Sequence, residues 1–329
     1  MDRKAKMAEF LDEQVIEDLD RVEEIIFENL KSDVGLMEEM TQYLLKAGGK
    51  RVRPAFVLLT FRAVGGTDIE EVIPIAAAIE LIHTATLIHD DINDSSPTRR
   101  GLASVNKRFG LAKALVAGDY TFVKAFRIGG AYDGGIVKII ADACSGLAEG
   151  EVLQSMNRYN TDLTLEEYER TIGKKTAGLI SACGAVGAKL GGAGEDVVSG
   201  MSGYGYNLGL TFQIIDDILD LEGDDSKTGK PLGTDIREGQ MSVPLIRARS
   251  VLEPEKKKAL ADLITKEENT QDEIDRAILI VRDTDALDFS KGLAEEFASK
   301  ARQALEVLSD SDYKENLNML IDVVMERDY

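Results

Sequence analysis

Three carboxylates, Asp90, Asp91 and Asp94, stand at spacing i, i+1, i+4 in the stretch LIHTATLIHDDINDSSPTRRG, Leu81 to Gly101. On a helix, Asp90 and Asp94 fall one turn apart on one face. Like charges gathered this closely repel. A bound divalent cation is the simplest relief, and oxygen-only ligands suit a hard ion, magnesium above all. Arg99 and Arg100 follow after a Ser-Ser-Pro turn, and guanidinium groups suit phosphate oxygens. Acid, metal and arginine together point to a magnesium diphosphate.

The pattern recurs. Asp216, Asp217 and Asp220 form a second DDxxD in IDDILD, with Gln213 ahead on the same stripe and Asp224 one turn on. Each cluster closes a long apolar helix, the end where the helix dipole disfavours acids. One such motif reads as a solvated helix end as readily as a site. Two at matching positions are a stronger signal, and if they face each other they hold a shared group of magnesium ions. The bases gather beside Gly, Pro or Thr: Lys50, Arg51 and Arg53 in GGKRVRP, Lys175 in GKKTAG, Lys227 and Lys230 after the second acidic cluster. Two sets of bases and one metal cluster imply two anionic substrates.

Helices must position these groups. β-branched alternation is scarce and only 6 prolines occur in 329 residues. Amphipathic helices are expected over about 5–30 and 35–46, the latter stopped by Gly48-Gly49, then over 55–64. Thr67 to Glu70 reads as a capping box that opens the helix carrying the first acids. Along that helix Ile79, His83, Thr86, Asp90 and Asp94 share a stripe, flanked by Ala78, Ile82 and Ala85. Further helices are expected over 113–128, 135–156, 164–172, from Lys174 through a small-residue run, and over 195–221. A polar, glycine-rich loop is expected at 222–239, then several charged amphipathic helices over 243–324. The whole reads as one all-α domain, residues 1–329.

Composition narrows the partners. The formal charge is −20, from 59 acids against 39 bases, which argues against nucleic acid. Cys144 and Cys183 lie in apolar surroundings without metal or redox spacing, so free thiols are expected. The N-terminal MDRKAKMAEFLDEQ lacks a signal core, no membrane-length apolar run is expected, and the cytoplasm is the default location.

In combination, GGKRVRP, IHTATLIHDDIND…RRG, KKTAG, FQIIDDILD and TGKPLGTD make the chain resemble the trans-prenyltransferases, the isoprenyl diphosphate synthases, from about Tyr43 to Pro244. The resemblance implies a bundle of long helices around a central apolar cavity, and a homodimer. It implies joining an allylic diphosphate to isopentenyl diphosphate, head to tail, with Mg2+. It assigns metal binding to Asp90, Asp91, Asp94, Asp216, Asp217 and Asp220, and the allylic diphosphate to Arg99, Lys175 and Lys230. It assigns isopentenyl diphosphate to Lys50, Arg53, His83 and Arg100, and places Thr176 and Gln213 near the reacting carbons. Where the family usually carries a lysine after GTD, this chain has Gln240, which removes a charge from the allylic rim.

In the family a bulky aromatic four or five residues before the first acid acts as a floor for the growing tail. Here those positions are Thr86 and Ala85, so the tail is expected to pass toward Ile82 and Ala78, giving geranylgeranyl diphosphate or longer. Phe56, Phe122 and Phe126 are the other residues able to supply a floor. Two other readings fit less well. A class I terpene cyclase needs no GGKRVRP and mixes Asn, Ser and Glu in its second metal motif. A non-catalytic subunit of a heteromeric synthase would lose its acidic motifs. A calcium-loop reading fails on spacing. GYGYNLG lacks the preceding strand of a nucleotide loop.

Overall fold

The computed structural model describes residues 13–222 and 232–327, so Lys227, Lys230 and Asp224 lie outside the described residues. The described chain is almost entirely helical, as expected. Its contacts divide it into two compact units, 1–142 with 182–201 and 307–317, and 143–181 with 202–306 and 318–329.

The first unit is built on α1 (Glu13–Leu30), α2 (Gly35–Lys46), α3 (Val52–Ala63) and α4 (Ile73–Asn93). α5 (Val105–Phe109) and α6 (Leu111–Gly129) follow. α4 is the hub. Ile75, Ala76, Ala78, Ile79, Leu81, Ile82, Ala85 and Ile88 are buried round its circumference, against α1, α3 and α6. Each large aliphatic side chain so enclosed contributes roughly 1.5–3 kcal/mol. Gly118 of α6 leaves room for a side chain of α4: a Cβ there would sit 2.2 Å from the His89 ring.

α4 begins differently from the sequence expectation. Asp68, not Thr67, caps a single 3-10 turn, Ile69–Glu71, by accepting from Glu70 N–H. The α-helix then starts at Ile73 with Pro74 in its first turn, where a missing N–H costs nothing. The stretch Ile69–Asn93 is long and apolar enough to cross a membrane, a correction to the sequence reading, with 78% of its most apolar window buried inside the protein. A short hairpin, β1 (Thr98–Arg99) with β2 (Leu102–Ala103), follows α4, where only a turn was expected.

The second unit takes up α7 (Gly134–Met156) from Ala143 onward, then α8 (Leu165–Ile172). Thr164 opens α8 through a capping box with Glu167, as expected. A π-turn, Gly173–Ala177, joins α8 to α9 (Gly178–Leu190). The expected helix start at Lys174 is therefore a widened turn inside a continuous helical run. α10 (Glu195–Glu222) carries the second acidic cluster. Part of the expected loop is helical: α11 (Thr234–Glu238) lies between Gly233 and Gly239, both left-handed at φ 73° and 67°. α12 (Val243–Val251), α13 (Pro254–Ile264), α14 (Gln271–Arg282) and α15 (Ala286–Ala304) pack round a core of Leu210, Ile214, Ile218, Leu245, Ile274 and Val281. α16 is Asp312–Met325.

Candidate active site

The first unit gathers guanidinium groups along α4, from Glu80 to Asp91. Arg51 and Arg100 both adopt left-handed backbone, φ 48° and 52°, a strain of roughly 1–3 kcal/mol for each. Arg51 uses it to turn inward. Its guanidinium bonds Glu80 at 2.8 Å and Glu23 at 2.9 Å, and its side chain is 1% exposed. Arg100 donates to the carbonyls of Gly48 and Leu44. A Cβ on Gly49 would lie 3.0 Å from both Arg100 and Arg51 nitrogens, so the second glycine of GGKRVRP leaves room for two arginines.

The remaining charges are poorly offset. Burial lowers the Arg53 and Arg100 guanidinium pKa values, with the Glu80 charge acting against it. Arg53 Nε is buried without a hydrogen-bond partner among the described residues. Burial, then the charges of Arg53, Arg100, Arg51 and Arg99, hold His83 well below the usual imidazole range, so it is neutral. A neutral imidazole and an orphaned donor among several cations are what an anion would satisfy. Lys50 is exposed at the edge of this group.

The first acidic cluster divides in two. Asp91 is fully buried, and its Oδ1 accepts from Arg99 Nε and Nη2 at 2.8 and 2.6 Å. Its carbonyl accepts from Ser96 N–H and Asn106 Nδ2, both at 3.0 Å. Asp90 is half-buried and Asp94, the C-cap of α4, is exposed. Arg99, expected at a diphosphate, is bound to Asp91.

The second cluster divides similarly. Asp217 is buried and accepts from Tyr168 Oη at 2.5 Å, Gln213 Nε2 at 3.2 Å and Val243 N–H at 3.1 Å. Burial pushes its carboxyl up to about 7 against those three bonds, with the Asp216 charge adding to the rise. Asp220 accepts the Thr234 and Asp235 N–H groups at 2.9 and 3.0 Å, and so caps α11. Asp216 is the outward member, 44% exposed, and pairs with Arg327 at 3.0 Å. Arg327 in turn lies over the Phe212 ring at 4.3 Å. Lys175 pairs with Glu151 at 2.7 Å and bonds Gln154. Thr176 Oγ1 donates to Gln213 Oε1 at 3.1 Å.

The structure thus brings Thr176, Gln213 and Asp217 into one chain of contacts, and Arg53, His83 and Arg100 into one charged group. Lys230 lies outside the described residues. Ala78, Ile82, Ala85 and Thr86 are all buried along α4. Of the other floor candidates, Phe56 is fully buried, while Phe122 stacks on His89 at 6.3 Å and on Phe126, which is exposed. Sequence reasoning missed Tyr168, Glu80 and Glu151. Their signal was weak: an acid or phenol on an otherwise apolar helix face, with a partner far away in sequence.

Among the described residues no three His, Cys, Asp or Glu side chains form a ready-made metal cage. Magnesium does not require one. It keeps several waters and takes one or two carboxylates together with substrate phosphates. The half-buried Asp90 and exposed Asp94 of the first unit, and the outward Asp216 of the second, fit that mode of binding.

The polyprenyl synthetase family model matches residues 34–281. Octaprenyl diphosphate synthase of Escherichia coli (strain K12) is 37% identical over 321 residues, which is 97% of this chain and 99% of the relative. Geranylgeranyl diphosphate synthase of Methanosarcina mazei is 35% identical over 88% of this chain and 89% of the relative. Among solved structures, polyprenyl synthase from Caulobacter crescentus CB15, complexed with calcium and isoprenyl diphosphate, superposes at TM-score 0.91. It is 34% identical and covers 99% of this chain and 98% of its own. A decaprenyl diphosphate synthase from Rhodobacter capsulatus gives 0.89 at 35% identity, over 96% and 98% of the two chains. The motifs, the helical fold and these matches agree: the chain belongs to the polyprenyl synthetase family, the trans-isoprenyl diphosphate synthases.

Proposed function

We propose that the enzyme condenses isopentenyl diphosphate with an allylic prenyl diphosphate, head to tail, in a magnesium-dependent reaction that yields a longer all-trans prenyl diphosphate. The observation that carries this reading is the Arg53–His83–Arg100 group with its orphaned buried donor. It lies in the unit whose hub helix also presents Asp90 and Asp94. Lys50 joins that group to hold isopentenyl diphosphate.

Lys175 and Lys230 hold the allylic diphosphate, with Arg99 braced by Asp91. Asp90, Asp94 and Asp216 are the residues that would hold Mg2+ directly. Asp91, Asp217 and Asp220, already engaged, support them from behind. The metal supplies charge neutralisation of the departing diphosphate. Lys175 and Arg99 add to that stabilisation where charge develops. Apolar walls keep water from the allylic cation. Thr176 and Gln213 place polar atoms near that cation. As the allylic carbon–oxygen bond breaks, the isopentenyl double bond supplies the electron pair of the new carbon–carbon bond. The proton then lost goes to the released diphosphate.

A product of geranylgeranyl length or longer fits the small, buried Ala85 and Thr86. A homodimer fits the exposed apolar face of α6, where Leu111, Leu115, Val116, Val123 and Phe126 are 48–64% exposed. The test is labelled isopentenyl diphosphate with magnesium and dimethylallyl, geranyl, farnesyl or geranylgeranyl diphosphate, with the products separated by length. Label in a longer diphosphate is expected. Unincorporated label with a cyclised allylic product would replace the reading with a terpene cyclase. Ala85→Phe is expected to shorten the main product, and an unchanged distribution would remove the proposed tail path.

A further inference from the structure

Asp217, Gln213 and Thr176 form a relay whose direction is set from behind. Val243 N–H can only donate, and it donates to Asp217 Oδ2 at 3.1 Å. Tyr168 Oη meets the same oxygen at 2.5 Å. Tyr168 and Val243 belong to the apolar core of this unit, so neither donor is free to turn away. That leaves Oδ1 to face Gln213 at 3.2 Å. In its ionised form Asp217 only accepts, so the amide presents its NH2 to Asp217 and its carbonyl to Thr176. The Thr176 hydroxyl, 3.1 Å from that carbonyl, must then donate its one proton to it. Every other neighbour of Thr176 meets oxygen lone pairs.

We infer that Asp217, held by Tyr168 and Val243 N–H, is a positioning residue that orients the Gln213 amide, so that Thr176 turns lone pairs rather than a proton toward the allylic cation. This deepens the reading under Proposed function and rests on it, because it takes Thr176 to lie beside the reacting carbon. Thr176 is half-buried, and in such surroundings a fixed dipole acts with less screening than in water. The second aspartate of IDDILD thereby acts on the chemistry without touching metal or substrate.

The relay can be reversed without changing its shape. In Asp217→Asn the carbonyl stays with Tyr168 and Val243 N–H, and the new NH2 faces position 213. The Gln213 amide must flip, Thr176 becomes an acceptor, and its proton turns outward. Adding Gln213→Glu restores the original sense, since a carboxylate at position 213 accepts both from the new amide at position 217 and from Thr176.

The experiment measures kcat, KM for both substrates and thermal stability in wild type, Asp217→Asn, Gln213→Glu/Asp217→Asn and Thr176→Val. Wild-type turnover establishes the underlying reaction first, so its absence counts against that reading rather than against the relay. A fall in kcat of roughly tenfold to a hundredfold is expected for Asp217→Asn, at nearly constant KM. Thr176→Val should lose less, because an absent dipole is better than a reversed one. The double variant should regain at least about fivefold in kcat over Asp217→Asn, a non-additivity expected of residues in one network. A folded double variant as slow as Asp217→Asn, or an Asp217→Asn loss confined to KM, overturns the inference. Should Asp217→Asn not fold, the double variant alone decides: a kcat loss of less than about tenfold supports the relay, and any larger loss overturns it.

Discussion

At Gly150 on α7 a single methyl group would displace Lys175, the residue proposed to hold the allylic diphosphate. A Cβ there would lie 2.4 Å from Lys175 N, 2.7 Å from its Cα and 2.8 Å from its Cβ. These atoms belong to the backbone and its root, so no side chain can swing clear. Ordinary contact begins near 3.4 Å, so Gly150→Ala must push the π-turn back by about 1 Å. Overpacking of that kind costs about 1–3 kcal/mol, which for a chain of this size lowers Tm by roughly 2–4 °C. The catalytic loss is larger, because a 1 Å misplacement of a positioned group costs on the order of a hundredfold. The loss should appear in kcat/KM for the allylic diphosphate, with KM for isopentenyl diphosphate unchanged, since the moved residues are Lys175 and Thr176. Gly292→Ala in α15 is the control. Nothing lies within 4 Å of its Cβ, and a helix-interior glycine replaced by alanine gains up to about 1 kcal/mol. Wild-type kcat/KM and melting in Gly150→Ala would refute the close approach and the role given to the turn.

Glu80→Gln should destabilise the protein by about 3 kcal/mol, as expected when one partner of a buried pair is lost, because the Arg51 side chain is 1% exposed; denaturant unfolding reads this directly. His83 imposes a pH dependence of defined sign. Its folded pKa is held well below 6.5, so the unfolded chain takes up a proton below pH 6.5 that the folded chain refuses. Stability is therefore lost as pH falls, at up to about 1.4 kcal/mol per pH unit, and His83→Gln should remove that slope between pH 6.5 and 5.5. Gln240→Lys restores a charge beside Asp235, whose carbonyl accepts from the residue 240 N–H at 2.8 Å. It should lower KM for the allylic diphosphate about two- to fivefold, and an unchanged KM would show that the allylic rim does not extend to this position.

The fold was legible wherever one face of a helix carried the signal. α2 and α8 fall where periodicity and capping placed them, because Gly48-Gly49 and the Thr164–Glu167 box act on the chain next to them. Failures came where a distant partner decided. The π-turn depends on Gly150, more than twenty residues earlier, which admits the Lys175 backbone. The helix Thr234–Glu238 depends on the Asp220 carboxylate, which supplies its N-terminal acceptor. Neither GKKTA nor TDIRE signals this locally. Of the three bases in GGKRVRP, Lys50 and Arg53 are expected at the anion, and Arg51 turns inward to Glu80 and Glu23. That inward turn goes with a left-handed backbone at Arg51, which composition does not reveal.

The two DDxxD motifs show how far spacing can carry chemistry. Helical periodicity says which acids share a face, and it separates the first position from the second in each motif. It does not say what the second acid meets. In the first motif Asp91 meets a guanidinium and becomes the anchor of Arg99. In the second, Asp217 meets a phenol, an amide and a backbone N–H, with no cation among its hydrogen-bond partners in the described residues. The first arrangement fixes a cation in place, and the second fixes the direction of a neutral hydrogen-bond chain ending at Thr176. Substitution should separate them. Asp91→Asn leaves Arg99 facing a neutral acceptor, so it should weaken allylic diphosphate binding and raise KM. Asp217→Asn should spare KM and lower kcat. Equal effects of both changes on the same kinetic constant would show that the two motifs are one repeated metal site rather than two different supports.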